Sequence, residues 1–186
     1  MSMIFRIITI PKAKVNFVNP RRNNSLSIIF HANNQTDTER LGAMLAELLP
    51  DGSVVALIGT LGAGKTRLVQ AVAEASGVPK NTVTSPTFVL IREYNEGDRP
   101  IYHFDAYRLE RESEFRALGP DEYFDGFGLS FVEWADRVPN SIPVDRITIE
   151  IEALSADSRC FTISATGDKY AEFIMRTSDF CDQRGN

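Results

Sequence analysis

Eight consecutive residues could by themselves hold an anion: Gly59-Thr60-Leu61-Gly62-Ala63-Gly64-Lys65-Thr66, which fits GxxxxGK(S/T). Each position has a chemical reason. Glycines let successive backbone amides turn inward on a phosphate chain. The Lys65 ammonium reaches β and γ oxygens, and the Thr66 hydroxyl supplies one Mg2+ position. A helix starting here adds the partial positive charge of its N-terminus. The pattern alone arises by chance in roughly one chain in a hundred, so the flanking elements decide. An apolar run precedes it and an amphipathic stretch follows, as a strand–loop–helix phosphate site requires.

Such a site needs an acid from a neighbouring strand end to hold the metal, and a group that orients the attacking water. Two residues qualify. Asp105 closes the run Ile101-Tyr102-His103-Phe104, and Glu133 closes Leu129-Ser130-Phe131-Val132. Most acids in an acidic chain are solvated surface groups. Strand-end placement sets these two apart, because open α/β sheets bind ligands at the carboxyl ends of their strands, and Trp134 adjoins Glu133. His103 shares a strand face with Asp105 and reads either as its partner or as a packed strand histidine. Thr84-Ser85-Pro86-Thr87 is extended, since the residue before a proline is biased away from helix. Its hydroxyls could meet Mg2+ or a γ-phosphate, or the segment is an ordinary turn. Arg108 and Arg137 read as phosphate-facing cations or as members of surface ion pairs.

The elements that position these groups follow from periodicity. Leu26 to Phe30 reads as a first strand. Thr36-Asp37-Thr38-Glu39 has the form of a capping box, and behind it Leu41, Met44, Leu45, Leu48 and Leu49 make one apolar helical stripe. Val54-Val55-Ala56-Leu57-Ile58 is continuously apolar, the pattern of a strand buried on both faces of a parallel sheet. The helix after the loop carries Leu68, Ala71, Val72 and Ala75 on one side. Phe88 to Tyr94 and Pro100 to Asp105 read as strands joined by Asn95-Glu96-Gly97-Asp98, a link so short that the pair must be antiparallel. A polar helical stretch covers Arg111 to Leu118. Arg146 to Glu152 and Arg159 to Ala165 alternate like a half-exposed hairpin. A last helix near Asp168 to Ser178 presents Tyr170, Phe173 and Ile174. The expected fold class is α/β: a P-loop NTPase-like three-layer sandwich with a mixed parallel and antiparallel central sheet.

Charge is unevenly spread. The chain has 186 residues, 20 basic and 25 acidic, for a net of −5. Five of the basic residues lie in the first 30, and no acid precedes Asp37, so the remainder stands at −10. Such a body repels a nucleic-acid backbone, where phosphate neutralisation drives most binding, and any contact with RNA should be indirect. No apolar run approaches the roughly 20 residues that cross a bilayer. Cys160 and Cys181 have neither zinc nor CxxC spacing, and two reduced thiols in a cytoplasmic protein fit them. Residues 1–25 lack the apolar core and cleavage site of a secretory signal. They suit a transit peptide or start-site sequence, and best a basic tail without stable structure, ahead of one P-loop ATPase domain over residues 26–186.

Four segments in order, GTLGAGKT, Thr84-Ser85-Pro86-Thr87-Phe88, Tyr102-His103-Phe104-Asp105-Ala106-Tyr107-Arg108-Leu109 and Glu133-Trp134-Ala135-Asp136-Arg137, resemble the TsaE (YjeE) family over roughly residues 26–166. The P-loop is shared by many families, whereas the other three segments are specific in combination. The resemblance implies an ATPase needed to make threonylcarbamoyladenosine on tRNAs reading codons that begin with A. It implies binding to a TsaB–TsaD pair whose TsaD member carries out the transfer. By motif, ATP would lie on Gly59 to Thr66, Thr66 and Glu133 would hold Mg2+, and Asp105 would lie near the γ-phosphate. Ser85-Pro86-Thr87 would act as a switch loop with Thr87 at the nucleotide, and Trp134 would lie against the nucleotide or the partner. Asn34, in the loop Asn33 to Thr36, and Arg159 are the candidate adenine-side contacts. Lys65, Asp105 and Glu133 are thus the candidate catalytic groups. ATP rests on the resemblance, since the loop does not encode the base and no NKxD sequence is present. Two other readings stay open: a small-molecule kinase with Glu110 to Asp125 as a lid, whose cations are few, and a nucleotide-dependent interaction module.

Overall fold

The computed structural model describes residues 27–183. The basic tail expected over residues 1–25 lies outside them. The chain runs β1 (Ser27–Ala32), α1 (Gln35–Leu48), β2 (Val54–Ile58), α2 (Lys65–Ala75), β3 (Ile91–Tyr94), β4 (Ile101–Asp105), α3 (Glu112–Arg116), α4 (Asp121–Phe124), β5 (Leu129–Glu133), β6 (Arg146–Ala153), β7 (Arg159–Thr166) and α5 (Ala171–Gln183). The seven strands form one sheet in the order β1-β7-β6-β2-β5-β4-β3. β2 is parallel to both β5 and β6, and β4 is parallel to β5. The remaining pairs, β1 with β7, β6 with β7 and β3 with β4, are antiparallel. The fold is therefore α/β with a mixed sheet, as the strand patterns indicate.

Two apolar layers sandwich the middle of this sheet. On one face Val55, Leu57, Ile101, Leu129, Phe131, Ile149 and Ile163 pack beneath Leu41, Met44 and Leu45 of α1, Leu68 and Val72 of α2, and Phe173 of α5. On the other, Val54, Ala56, Phe104 and Val132 pack beneath Phe115 of α3 and Phe124 of α4. β2 is covered on both faces, which is why five apolar residues run without a break there. The outward face of β6 and β7 has no such cover. Glu150 and Glu152 are exposed and Thr162 and Ser164 half-buried, so these strands alternate. Cys160, half-buried on β7, forms no disulfide. Burial first, then the nearby Glu152 carboxylate, push its thiol above the ordinary range.

Four local expectations need correction. The α1 cap is not the Thr36 box. Asn34 is extended and its side chain accepts from the Asp37 amide, while Asp37 accepts from the Asn33 amide at 3.0 Å. Glu39 is drawn instead to the Arg67 guanidinium of α2 and to Gln35. Asn is a stronger cap than Thr, and Asp37 and Thr38 then fall in the first turn of the helix, where both are buried. Ala75 is exposed, and Val69 and Ala73 take its place in the core. Phe88 to Leu90 form a turn, not the start of a strand. The Val89 and Leu90 amides both bond the Pro86 carbonyl, and Leu90 sits at φ 68°, which ends strand pairing. The fourth, the partner of His103, belongs to the site below.

Asn34→Ala should lower unfolding stability by about 1 kcal/mol in a urea titration, whereas Thr36→Ala, an exposed residue without the cap role, should leave the midpoint nearly unchanged. The reverse order would restore the Thr36 box.

Candidate nucleotide-phosphate site

The parallel register of the central strands brings three chain segments to one edge. Leu57 of β2 lies opposite Glu133 of β5, and Glu133 lies opposite Asp105 of β4. The chain leaving β2 enters the glycine loop, and both candidate acids stand on the neighbouring strand ends.

The loop has the backbone that its sequence demands. Gly62 and Gly64 adopt φ of 77° and 110°, where a side chain would be strained, and Gly64 precedes the first residue of α2. At Gly59 the constraint is contact: a Cβ there would meet the Ile151 carbonyl oxygen at 2.6 Å. A Cβ on Gly62 would meet nothing within 4 Å, so the loop opens outward at that point. Leu61 at the loop tip is exposed, and the Ala63 amide bonds the Thr60 carbonyl at 3.1 Å.

Lys65 turns back into this loop. It is buried, and its Nζ donates to the carbonyls of Gly59 at 2.7 Å and Thr60 at 3.0 Å. The same ammonium lies 3.7 Å from the centre of the Trp134 ring. Burial pulls the Lys65 pKa below its ordinary value, against the opposing pull of Glu133, Asp105 and Asp136. Trp134 reaches this position from a left-handed backbone, φ 58° and ψ 40°, directly after β5, and packs on Tyr107 with ring centres 4.9 Å apart.

The acids are buried and each has its own partners. Thr66 Oγ1 donates to Glu133 Oε1 at 2.7 Å. His103 Nε2 lies 2.8 Å from the same oxygen. Asp105 Oδ2 accepts from the Thr87 hydroxyl at 2.5 Å and from the Ser85 hydroxyl at 3.3 Å, and Oδ1 accepts from the Tyr107 amide at 2.8 Å. His103 is therefore the partner of Glu133, not of Asp105. Residues 103 and 105 share a face but stand about 6.6 Å apart along one strand, beyond a short Asp side chain. Glu133, opposite Asp105 on the next strand, lies diagonally from His103, and its longer side chain leans back to reach the imidazole.

The remaining candidates hold the frame. Arg159 Nε donates to the Ala63 carbonyl at 2.8 Å, and its Nη1 bonds the carbonyls of Ser155, Ala156 and Ser158, tying the β6–β7 turn to the phosphate loop. Asn34 uses its side-chain oxygen as the α1 cap. Arg137 donates to the Leu109 carbonyl at 2.8 Å, and Arg108 lies over the exposed Phe88 ring at 4.1 Å. The loop, Lys65, Thr66, Glu133, Trp134, Asp105 and Thr87 thus form one continuous cluster. Spacing and the family resemblance pointed to its members but not to the Lys65–Trp134 stack, because only the left-handed turn at Trp134 creates it.

A family model described as threonylcarbamoyl adenosine biosynthesis protein TsaE matches residues 32–161. The chain belongs to the TsaE family. Among its relatives, the tRNA threonylcarbamoyladenosine biosynthesis protein TsaE of Bacillus subtilis is 42% identical over 137 residues, covering 74% of this chain and 85% of the relative. The protein of the same description from Treponema pallidum is 38% identical over 128 residues, covering 69% of this chain and 93% of the relative. A crystal structure of Bacillus subtilis YdiB superposes with a TM-score of 0.71 at 33% identity, covering 85% of this chain and 98% of that one. TsaE membership and the loop together make this a P-loop nucleotide-binding protein. Among the described residues, no helix is long and apolar enough to cross a membrane.

Gly59→Ala should depress the urea midpoint further than Gly62→Ala. The first collides with backbone at 2.6 Å, while the second carries only the left-handed cost of about 1–2 kcal/mol. Equal midpoints would mean the loop does not hold this shape in solution.

Proposed function

We propose that this chain hydrolyses ATP in support of threonylcarbamoyladenosine formation on tRNA, acting in the cytoplasm on a TsaB–TsaD-like protein complex. The supporting observation is the meeting of Thr66 and Glu133, 67 residues apart in sequence and joined at 2.7 Å beside a loop with left-handed Gly62 and Gly64. The pathway is that of the relatives' names.

A magnesium ion suits this pair. Hydroxyl and carboxylate oxygens are the hard donors Mg2+ takes, and with a nucleotide it needs only one or two protein ligands besides phosphate and water. Consistent with that, the described residues contain no group of three or more His, Cys, Asp or Glu arranged as an all-protein metal cage. Thr66 and Glu133 would hold the ion. When bound, Mg2+ would supply positive charge that neutralises the phosphate oxygens.

The chain's own groups do the rest. The amides of Gly59 to Thr66 and the start of α2 bind the phosphates. Lys65, with three donors on a flexible stem, exchanges loop carbonyls for phosphate oxygens and neutralises charge that develops as the γ-phosphoryl group leaves. Asp105 orients the water. Its oxygens accept from Thr87, Ser85 and the Tyr107 amide, and an ionised carboxylate has about four lone-pair sites, which leaves capacity for one more donor. That water attacks phosphorus in line as the bond to the β-bridging oxygen breaks, giving ADP, phosphate and a proton. Ser85 and Thr87 couple this acid to an exposed loop, where a γ-phosphate would alter their bonds. The β6–β7 turn, through Arg159, and the Asn34 loop would border the adenine side. With a net charge of −10 beyond residue 30, tRNA contact falls to the partner.

Lys65→Ala should reduce ATP turnover, measured with the TsaB–TsaD-like partner present, by at least about a hundredfold without loss of helical circular dichroism. Undiminished turnover in a folded Lys65→Ala protein would remove the loop from the chemistry. Release of a phosphorylated small molecule in place of free phosphate would favour the kinase reading.

A further inference from the structure

His103 is completely buried on β4, a position that packing would give to an apolar residue. Its register partner on β5 is Phe131, and the same sheet face carries Ile101 and Leu129, all buried. An imidazole there has to justify two nitrogens. Nε2 meets Glu133 Oε1 at 2.8 Å. An ionised carboxylate only accepts, so the fitting tautomer is the one that donates from Nε2. Nδ1 is then a lone pair, and it is buried without a hydrogen-bond partner. Buried polar atoms left without partners are costly and uncommon. The fold thus keeps an imperfectly satisfied histidine where leucine or phenylalanine would pack, and the one bond it makes falls on the carboxylate that also receives Thr66.

We infer that His103 is the positioning residue for Glu133, and the inference rests on the reading of Thr66 and Glu133 as Mg2+ ligands. Glu133 closes its strand and has three side-chain torsions, so burial alone does not select one rotamer. A donor fixed in the sheet core does. It pins Oε1 and keeps the carboxylate against the first turn of α2. Partners of this kind behind metal-binding side chains typically change metal affinity by 10–100-fold when removed. His103 would itself touch neither phosphate nor metal, since Glu133 stands between them.

Two amide substitutions separate this role from packing. In His103→Gln the side-chain amide falls near the place of Nε2 and can still donate to Glu133, while in His103→Asn it stops near Nδ1 and cannot. The measurement is calorimetric binding of AMPPNP at graded MgCl2 and in EDTA. His103→Asn should need about tenfold more Mg2+ to reach half of the Mg2+-dependent gain in affinity, with affinity in EDTA unchanged. His103→Gln should stay within about threefold of the unsubstituted protein on the same scale. If the asparagine variant does not fold, His103→Leu, which buries no new polar group, carries the same expectation. Equal Mg2+ midpoints in the Asn and Gln variants, or a loss in EDTA as large as that in Mg2+, would overturn the role of His103. No Mg2+ dependence in the unsubstituted protein would instead overturn the metal reading beneath it.

Discussion

Parallel pairing of β2, β5 and β4 governs everything at the site. The three strands end at one edge because their register sets Leu57, Glu133 and Asp105 side by side. That register is fixed by burial on two faces. A slip of one residue would move Leu57 and Phe131 out of the layer under α1 and α2 and would turn Glu133 away from Thr66. The polar contact between Thr66 and Glu133 is therefore a consequence of apolar packing several residues away. The antiparallel edges, β3 on one side and β7–β1 on the other, extend the sheet without contributing a candidate acid.

The phosphate loop is held from both ends by cations that bond its backbone. Lys65 draws the carbonyls of Gly59 and Thr60 inward, and Arg159 draws that of Ala63 toward the β6–β7 turn. Once a carbonyl is bonded on one side of a peptide, the adjoining amides are left to face the other. The left-handed glycines supply the backbone freedom, and the two side chains remove most of it again. Arg159 suits its part because one guanidinium presents several donors in a fixed plane, enough for four carbonyls from two segments. This gives Arg159 a structural role alongside the adenine-side one expected from sequence.

Most elements were legible because their burial is periodic. The α1 stripe, the continuous run of β2 and the alternation of β6 and β7 each record which faces are covered. Errors fell where a local motif competed with an equally good neighbour. Thr36 and Glu39 have capping-box spacing, but Asn34 with Asp37 provides the same service two residues sooner. Phe88 to Leu90 look like strand residues, yet proline at 86 nucleates a turn whose end is left-handed. In the site, the meeting of Thr66 and Glu133 was expected, whereas the partner of His103 and the stack of Lys65 on Trp134 were not. His103 and Asp105 are near in sequence, but the short Asp105 side chain is taken by Thr87, Ser85 and the Tyr107 amide, and the longer Glu133 side chain reaches back diagonally from the next strand to the imidazole. No one-dimensional spacing carries that information, because it depends on which strands are neighbours.

Trp134 shows what the site asks of the backbone. A tryptophan continuing β5 in extended conformation would alternate to the face of Val132, beneath α3 and α4. The left-handed turn, at a cost of about 1–2 kcal/mol for a residue with a Cβ, places its ring over Lys65 while the side chain still packs against that layer. A buried ammonium over an aromatic face recovers about 2 kcal/mol when desolvated, so strain and attraction come near to balance. What remains is position. Two carbonyls and a ring face hold the lysine without a direct ion pair to either acid. Partners of that strength give way to phosphate oxygens far more readily than a buried carboxylate would, and Glu133 and Asp105 are left to their own partners, Thr66 and His103 for one, Thr87 and Ser85 for the other.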